Sequence, residues 1–288
     1  MAARRLTIRD ILKMKAEGQP IAMLTAYDAT TARLSEAAGV PMLLVGDTLG
    51  MTVQGHDSTI PVKLEHIIYH AQIVMRVTSR PFVVGDMPFM TYQVNEEQAL
   101  TNAGRLMQEA GVSAVKLEGG EHMAPTIEHI VASGIPVMAH IGLQPQSVNV
   151  VGGFRAQGRD IDSAKQILRD AKAVQEAGAF SVVLESIPAA LAEMITAELD
   201  IPTIGIGGGI HCDGQVQVFH DILGLFDDFV PRHTKQYAQL GAQIRAVIAT
   251  YVDDVQERRF PTDENSFSIK PEVLATLRED GRENGAGS

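Results

Sequence analysis

From residue 21 to about residue 230, short β-rich apolar runs alternate with stretches in which apolar residues recur at helical spacing. The runs predict seven strands, at 21–28 (IAMLTAYD), 41–47 (PMLLVGD), 81–86 (PFVVGD), 113–120 (SAVKLEGG), 135–143 (IPVMAHIGL), 179–187 (AFSVVLESI) and 201–209 (IPTIGIGGG), with a weaker eighth at 222–226 (ILGLF). The intervening stretches predict helices over 29–38, 63–79, 95–110, 124–133, 161–177 and 188–198. The joins into the strands, EAAGVP, EAGVS, ASGIP, EAGAF and ELDIP, resemble one another. In most of them a glycine supplies a left-handed helix end, and the residues after it do not prolong the helix.

Strands joined by helical crossovers run parallel. Eight such units in about 210 residues predict an α/β fold, a single (β/α)8 TIM barrel with N-terminal and C-terminal helical extensions. A doubly wound sheet fits less well, because the first strand-to-helix turn, AYDATTA, lacks the glycines of a dinucleotide-binding fingerprint. The N-terminal extension is amphipathic, and the C-terminal one is a helix over about 235–257. This reading assigns 1–270 to the barrel catalytic domain and 271–288 to a polar C-terminal tail, whose last eight residues are glycine-rich and expected to fray.

Five of the apolar runs end on groups that can do chemistry: Asp47, Asp86, the pair Lys116 and Glu118, His140, and Glu185. Charged residues are seldom buried without partners, so their recurrence at one end of successive strands points to a single site. In a barrel that end is the catalytic face. Asp47 and Asp86 close adjacent strands, and their carboxylates can converge on a hard divalent cation, Mg2+ foremost, with substrate oxygens and water completing an octahedron. The plainer alternative is that each aspartate caps the next turn, which two matched cases without an obvious helix start weigh against. Lys116 and Glu118, two apart on one strand, share a face. The lysine suits a substrate carboxylate or a developing enolate oxygen, and the glutamate suits the metal or its waters; a purely structural ion pair is the alternative. Glu185 ends an otherwise apolar run, where partial burial suits it to general-base work. His140 stays open as ligand, proton carrier or positioner.

The glycine run at 205–209 permits close approach of backbone to a ligand, and no P-loop motif occurs. His66 and His70, one helical turn apart, could bind zinc, but no third ligand is spaced to help, and a surface or subunit contact is expected instead. A net charge of −11, from 24 basic and 35 acidic residues, argues against a nucleic-acid partner. The single cysteine, Cys212, excludes a disulfide framework and fits a reducing, cytoplasmic setting. No run reaches the roughly 18 to 20 apolar residues of a membrane span.

Read in order, TAYD (25–28), LVGDTLGMTVQGHDSTIPV (44–62), DMPFMTY (86–92), VKLEGGE (115–121), HIGLQPQSVN (140–149), GGFRAQGR (152–159) and IGIGGG (204–209) resemble the ketopantoate hydroxymethyltransferase family over about residues 6–267. The resemblance implies a (β/α)8 enzyme of pantothenate biosynthesis. It would transfer a hydroxymethyl group from 5,10-methylenetetrahydrofolate to 3-methyl-2-oxobutanoate, giving 2-dehydropantoate through a Mg2+-stabilised enolate. It further implies that Asp47 and Asp86 are the Mg2+ carboxylates and Glu118 a further acidic position near the metal. Asp47, Thr48, Asp86 and Lys116 match positions that hold the oxo acid, His140 joins them as a candidate substrate contact, and Glu185 matches the proton acceptor. No pterin motif is recognisable, so no residue is assigned to folate. A homo-oligomer, commonly a decamer of pentameric rings, is implied as well. Thr48 stands where the family usually has serine, Gly208 where it has alanine, and DIDSA after QGR departs from the usual glycine. Threonine keeps the hydroxyl but adds a methyl, so Thr48 bears on substrate fit more than on reaction type, and no function is read into the DIDSA segment.

Two other readings compete. One is a different Mg2+-dependent 2-oxo acid lyase or mutase of the phosphoenolpyruvate mutase and isocitrate lyase type; against it, the only cysteine lies after the strand-seven glycines rather than in a reactive loop. The other is a non-catalytic binding protein on a retired barrel, which the joint presence of Asp47, Asp86, Lys116, Glu118 and Glu185 argues against.

Overall fold

All seven expected strands form in the computed structural model, each trimmed to its hydrogen-bonded centre; the structure describes residues 4–147, 149, 153, 156–226 and 230–283. They are β1 Ile21–Thr25, β2 Met42–Val45, β3 Phe82–Asp86, β4 Ala114–Glu118, β5 Val137–Gly142, β6 Ser181–Glu185 and β7 Thr203–Ile206. The eighth strand corrects the sequence reading: β8 is Gly214–Gln217, while 222–226 begins on the last residue of a short helix, Phe219–Ile222, and continues as a turn. The misreading has a physical cause. Gly214 and Val216 alternate inward while Gln215 is exposed, so the strand carries almost no apolar signal. Gly214 is required there, because a Cβ would lie 2.4 Å from the Ile21 carbonyl oxygen of the neighbouring strand. With β8 pairing in parallel to both β7 and β1, the eight strands close into a barrel in sequence order.

The helices are α1 Ile8–Ala16, α2 Ala29–Ala37, α3 Leu49–Thr52, α4 Leu64–Val77, α5 Glu96–Arg105, α6 Ala124–Ala132, α7 Ile161–Glu176, α8 Ala189–Glu198, α9 Phe219–Ile222, α10 Leu240–Gln256 and α11 Pro271–Glu283. Asp28, Asn95 and Asp160 start α2, α5 and α7 by accepting hydrogen bonds from backbone N–H groups of the first turn. The glycines expected to close helices, Gly39, Gly111, Gly134 and Gly178, all take positive φ.

The two-residue period of the strands sorts the core into two layers. Outward-facing Leu43, Val45, Val83, Val115, Leu117, Ala139, Ile141, Val182 and Leu184 pack with residues of the surrounding helices. Inward-facing Met23, Met42, Leu44, Phe82, Val84, Ala114, Met138, Val183, Ile204 and Val216 form a second cluster, joined by Ile11 of α1.

The chain divides into two compact units, Met1–Ala238, which holds the barrel, and Gln239–Ser288, which contains α10 and α11. The stretch read as a polar tail is helical from Pro271 to Glu283, with 284–288 outside the described residues. Among the described residues no helix is long and apolar enough to cross a membrane.

Candidate active site

Above the apolar cluster, the same inward positions of the same strands turn polar. Asp47, Asp86, Lys116, Glu118 and His140 are between 1% and 4% exposed, so each charge needs a partner inside the protein. Strand register supplies the first one. Asp86 lies beside Lys116, whose Nζ stands 2.8 and 2.9 Å from the two carboxylate oxygens. The lysine thus pairs across strands rather than with Glu118 on its own strand. Burial opposes its charge, but Asp86, Glu118 and Asp47 overcome this and hold the ammonium protonated.

Asp47 follows β2, and its backbone N–H donates to Asp86 at 3.3 Å. A helix does start behind it, since α3 begins at Leu49, but the Asp47 carboxylate does not serve as that helix's cap. It accepts instead from Gln146 Nε2 at 2.9 Å. Burial, then the charges of Asp86 and Glu118, push the Asp47 carboxyl well above the usual carboxylate range. Burial also raises Asp86, against the pull of Lys116. Thr48 is the N-cap residue of α3 and its side chain makes no capping bond.

On the other side of Lys116, Glu118 and His140 are register partners on β4 and β5. The ring of His140 is bracketed: Nδ1 lies 3.4 Å from Glu118 and Nε2 lies 3.0 Å from Glu185. Neither ring N–H points squarely at its carboxylate, so the three groups are joined mainly as charges. Burial and the Lys116 charge work against protonation of His140, yet Glu118 and Glu185 outweigh them and raise its pKa to about 9. Burial would raise Glu118, but His140, Lys116 and the Gln146 N–H bring it below the ordinary value. Glu185 is held by its backbone. Gly142, at φ 92°, lies opposite it, and a Cβ there would stand 2.3 Å from the Glu185 carbonyl oxygen. Ser186, the next residue, takes a φ of 50°, a strained value for a residue with a side chain.

Every strand-end residue singled out from the sequence therefore belongs to one assembly. Two members were missed. Gln146, in a 3-10 turn after β5, and Tyr92, in the loop after β3, are both buried and link Asp47 to Glu118. Their only sequence signal lay in the strings HIGLQPQSVN and DMPFMTY, because an amide and a phenol carry no charge to stand out in an apolar run. His66 and His70 take no part: His66 Nδ1 accepts from the Lys63 N–H at the start of α4, and His70 Nδ1 lies 2.6 Å from the Tyr27 carbonyl oxygen. An open groove of about 550 Å³ beside α4 and α5 is lined by none of the charged strand-end residues.

A hard divalent cation fits this donor set. Fully ionised, Asp47, Asp86, Glu118 and Glu185 outnumber Lys116 and protonated His140 by two charges, the charge a divalent cation would supply. Among the described residues no group of three His, Cys, Asp or Glu side chains is set to hold an ion unaided. Asp47 and Asp86 offer two carboxylates, the number that suits Mg2+ when substrate and water provide the rest.

A closed (β/α)8 barrel with buried acid–base groups gathered at the carboxyl ends of β2 to β6 defines a barrel enzyme. The family model for ketopantoate hydroxymethyltransferase matches residues 5–263. A 3-methyl-2-oxobutanoate hydroxymethyltransferase of Chloroflexus aggregans is 55% identical over 271 residues, 94% of this chain and 96% of that protein. The chain belongs to the ketopantoate hydroxymethyltransferase family. Among solved structures, a phosphonopyruvate hydrolase matches with a TM-score of 0.62 at 14% identity, covering 97% of this chain and 98% of the other. The same kind of hydrolase, solved in complex with oxalate and Mg++, gives 0.59 at 14% identity, with 98% and 99% covered. A 2,3-dimethylmalate lyase of the PEP mutase/isocitrate lyase superfamily gives 0.54 at 13%, with 98% and 99% covered. At those identities the structural likeness speaks for the shared barrel alone.

Proposed function

We propose that this transferase moves a hydroxymethyl group from 5,10-methylenetetrahydrofolate to 3-methyl-2-oxobutanoate, forming 2-dehydropantoate, with Mg2+ held by Asp47 and Asp86. The observation that carries the reading is the pairing of an ionic His140–Glu185 contact at 3.0 Å with a buried Lys116–Asp86 pair. One group can take a proton while the other meets the negative charge left behind. The oxo acid comes from the names of the relatives, and the folate donor and Mg2+ come from the family resemblance and the donor set described above.

Glu185 removes the C3 proton of the oxo acid. Protonated His140, itself held beside Glu118, lies 3.0 Å from the Glu185 carboxylate, so its role is to position the base rather than to touch the substrate. The electron pair released at C3 is delocalised onto the ketone oxygen, which Lys116 stabilises as a fixed, dehydrated cation. When bound, Mg2+ supplies Lewis-acid polarisation of the ketone, a contribution of several kcal/mol. Water adds to the one-carbon unit carried by the folate, both of its carbon–nitrogen bonds break, and tetrahydrofolate leaves with protons on the two nitrogens. C3 then attacks the freed formaldehyde-level carbon, whose oxygen takes up the proton held by Glu185 and becomes the new hydroxyl. Thr48 faces the oxo acid beside Asp47, and Glu118 would be a further acidic group near the metal when bound. A cytoplasmic homo-oligomer, a decamer by family resemblance, completes the proposal. Exposed Ile244, Val247, Ile248, Tyr251, Val252 and Val255 form an apolar stripe on α10 that supports assembly.

The test is deuterium exchange at C3 of 3-methyl-2-oxobutanoate, followed by NMR with and without Mg2+ and methylenetetrahydrofolate. Metal-dependent exchange without folate, and product only with it, is the expected result; no metal-dependent exchange or product would overturn the assignment. A lyase or mutase would instead cleave or rearrange its oxo acid without a folate requirement, and the family membership argues against that reading.

A further inference from the structure

Gln146 has no part in the proton chemistry above, yet every polar atom of its buried side chain is engaged. Its Nε2 donates to Asp47 Oδ2 at 2.9 Å and to the Met87 carbonyl at 3.0 Å. Its Oε1 accepts from the Tyr92 hydroxyl at 2.7 Å and from Gln93 Nε2 at 3.2 Å. Its backbone N–H donates to Glu118 at 3.1 Å.

The sense of the amide is dictated by its neighbours. Tyr92 Oη already accepts from the Glu118 N–H at 3.1 Å, so its single proton goes to Gln146 Oε1. A flipped amide would set its oxygen against two acceptors, the Asp47 carboxylate and the Met87 carbonyl. The chain of donors therefore runs one way, from Glu118 N–H through Tyr92 and Gln146 to Asp47. It ends in a single donor on one oxygen of the Asp47 carboxylate, Oδ2, and so fixes the plane and direction of that carboxylate.

We propose that Gln146, oriented by Tyr92, is the positioning residue of the cation site: it fixes the Asp47 carboxylate for metal binding and ties that geometry to Glu118. The inference rests on Asp47 being a metal ligand. Outer partners of metal ligands typically contribute 10- to 100-fold in affinity. A residue that merely braces the turn after β5 would affect stability and leave metal affinity alone.

The experiment is titration of the full-length protein with Mn2+, read by electron paramagnetic resonance, and with Mg2+, read by calorimetry, for wild type, Gln146→Leu, Gln146→Met and Tyr92→Phe. The Gln146 variants should bind both ions about 10- to 100-fold more weakly, and Tyr92→Phe severalfold more weakly, because the Gln146 amide then loses the donor that sets its sense. Melting of the metal-free proteins separates this from loss of fold. If Gln146→Leu does not fold, the uncharged Gln146→Met, close to glutamine in length, and the Tyr92→Phe variant decide. Variants that bind within twofold of wild type would overturn the proposal while leaving the metal reading intact. A wild-type protein that binds neither ion would overturn the metal reading, and this inference with it.

Discussion

The two halves of the barrel interior are built from the same strands and teach different things. At the amino-terminal end, Met42, Phe82, Ala114 and Met138 fill the space with hydrocarbon, and Ile11 of α1 packs among them. Fully burying a large aliphatic or aromatic side chain stabilises the fold by about 1.5 to 3 kcal/mol. One or two inward positions further along, Asp86, Lys116, Glu118 and His140 occupy the same face of the same strands. Burying an ion costs several kcal/mol before its partners compensate. The lower half is organised for stability, and the upper half uses that rigidity to hold charges that water would otherwise solvate. A site made this way is preorganised, and removal of one member leaves another stranded.

The sharpest break in this comparison is expected at Glu185. Glu185→Gln should slow C3 exchange and turnover by about 10²- to 10⁴-fold. Its melting temperature should fall less than that of Lys116→Met, because His140 keeps Glu118 as a partner, which NMR exchange and calorimetry on one preparation would establish. Next comes Lys116→Met, which leaves Asp86 buried without its cation and should destabilise the protein by about 3–5 kcal/mol in urea unfolding. Adding Asp86→Leu to it should recover much of that loss, because an apolar pair then extends the lower half upward.

The third test uses pH on protein stripped of divalent ions. Because the folded-state pKa of His140 is raised to about 9, its stabilisation is complete below the unfolded value of about 6.5 and is lost as pH rises through 9. The rise corresponds to roughly 3 kcal/mol, to be read from urea midpoints between those two pH values. The raised Asp47 carboxyl acts with the same sign, since its ionisation at higher pH opposes folding. A His140→Gln variant should flatten the profile. The smallest effect belongs to the apolar half: Ile204→Val should cost about 0.5–1.5 kcal/mol and leave turnover at the wild-type level.

Much of the site was legible because local physics wrote it into the chain. A strand has a period of two, so Lys116 and Glu118 had to share a face, and charged residues ending successive apolar runs had to meet wherever those strands closed into a barrel. Other features were hidden for equally physical reasons. β8 is a strand by virtue of its neighbours, its backbone bonds to β7 and β1 making up for a sequence with one apolar inward side chain. Gln146 meets Asp47 across 99 residues, and nothing local to either position records the other.

By itself, then, the sequence determined the alternation of strand and helix, the end of the barrel at which chemistry gathers, and the family, since each depends on nearest-neighbour periodicity or on contiguous strings. Tertiary structure alone decided who pairs with whom: Lys116 with Asp86 rather than Glu118, His140 between Glu118 and Glu185, and Gln146 on Asp47. The reason is that pairing depends on strand register and loop return, which are fixed only when the barrel closes, and the partners are then chosen by distance in a dry interior rather than by position along the chain.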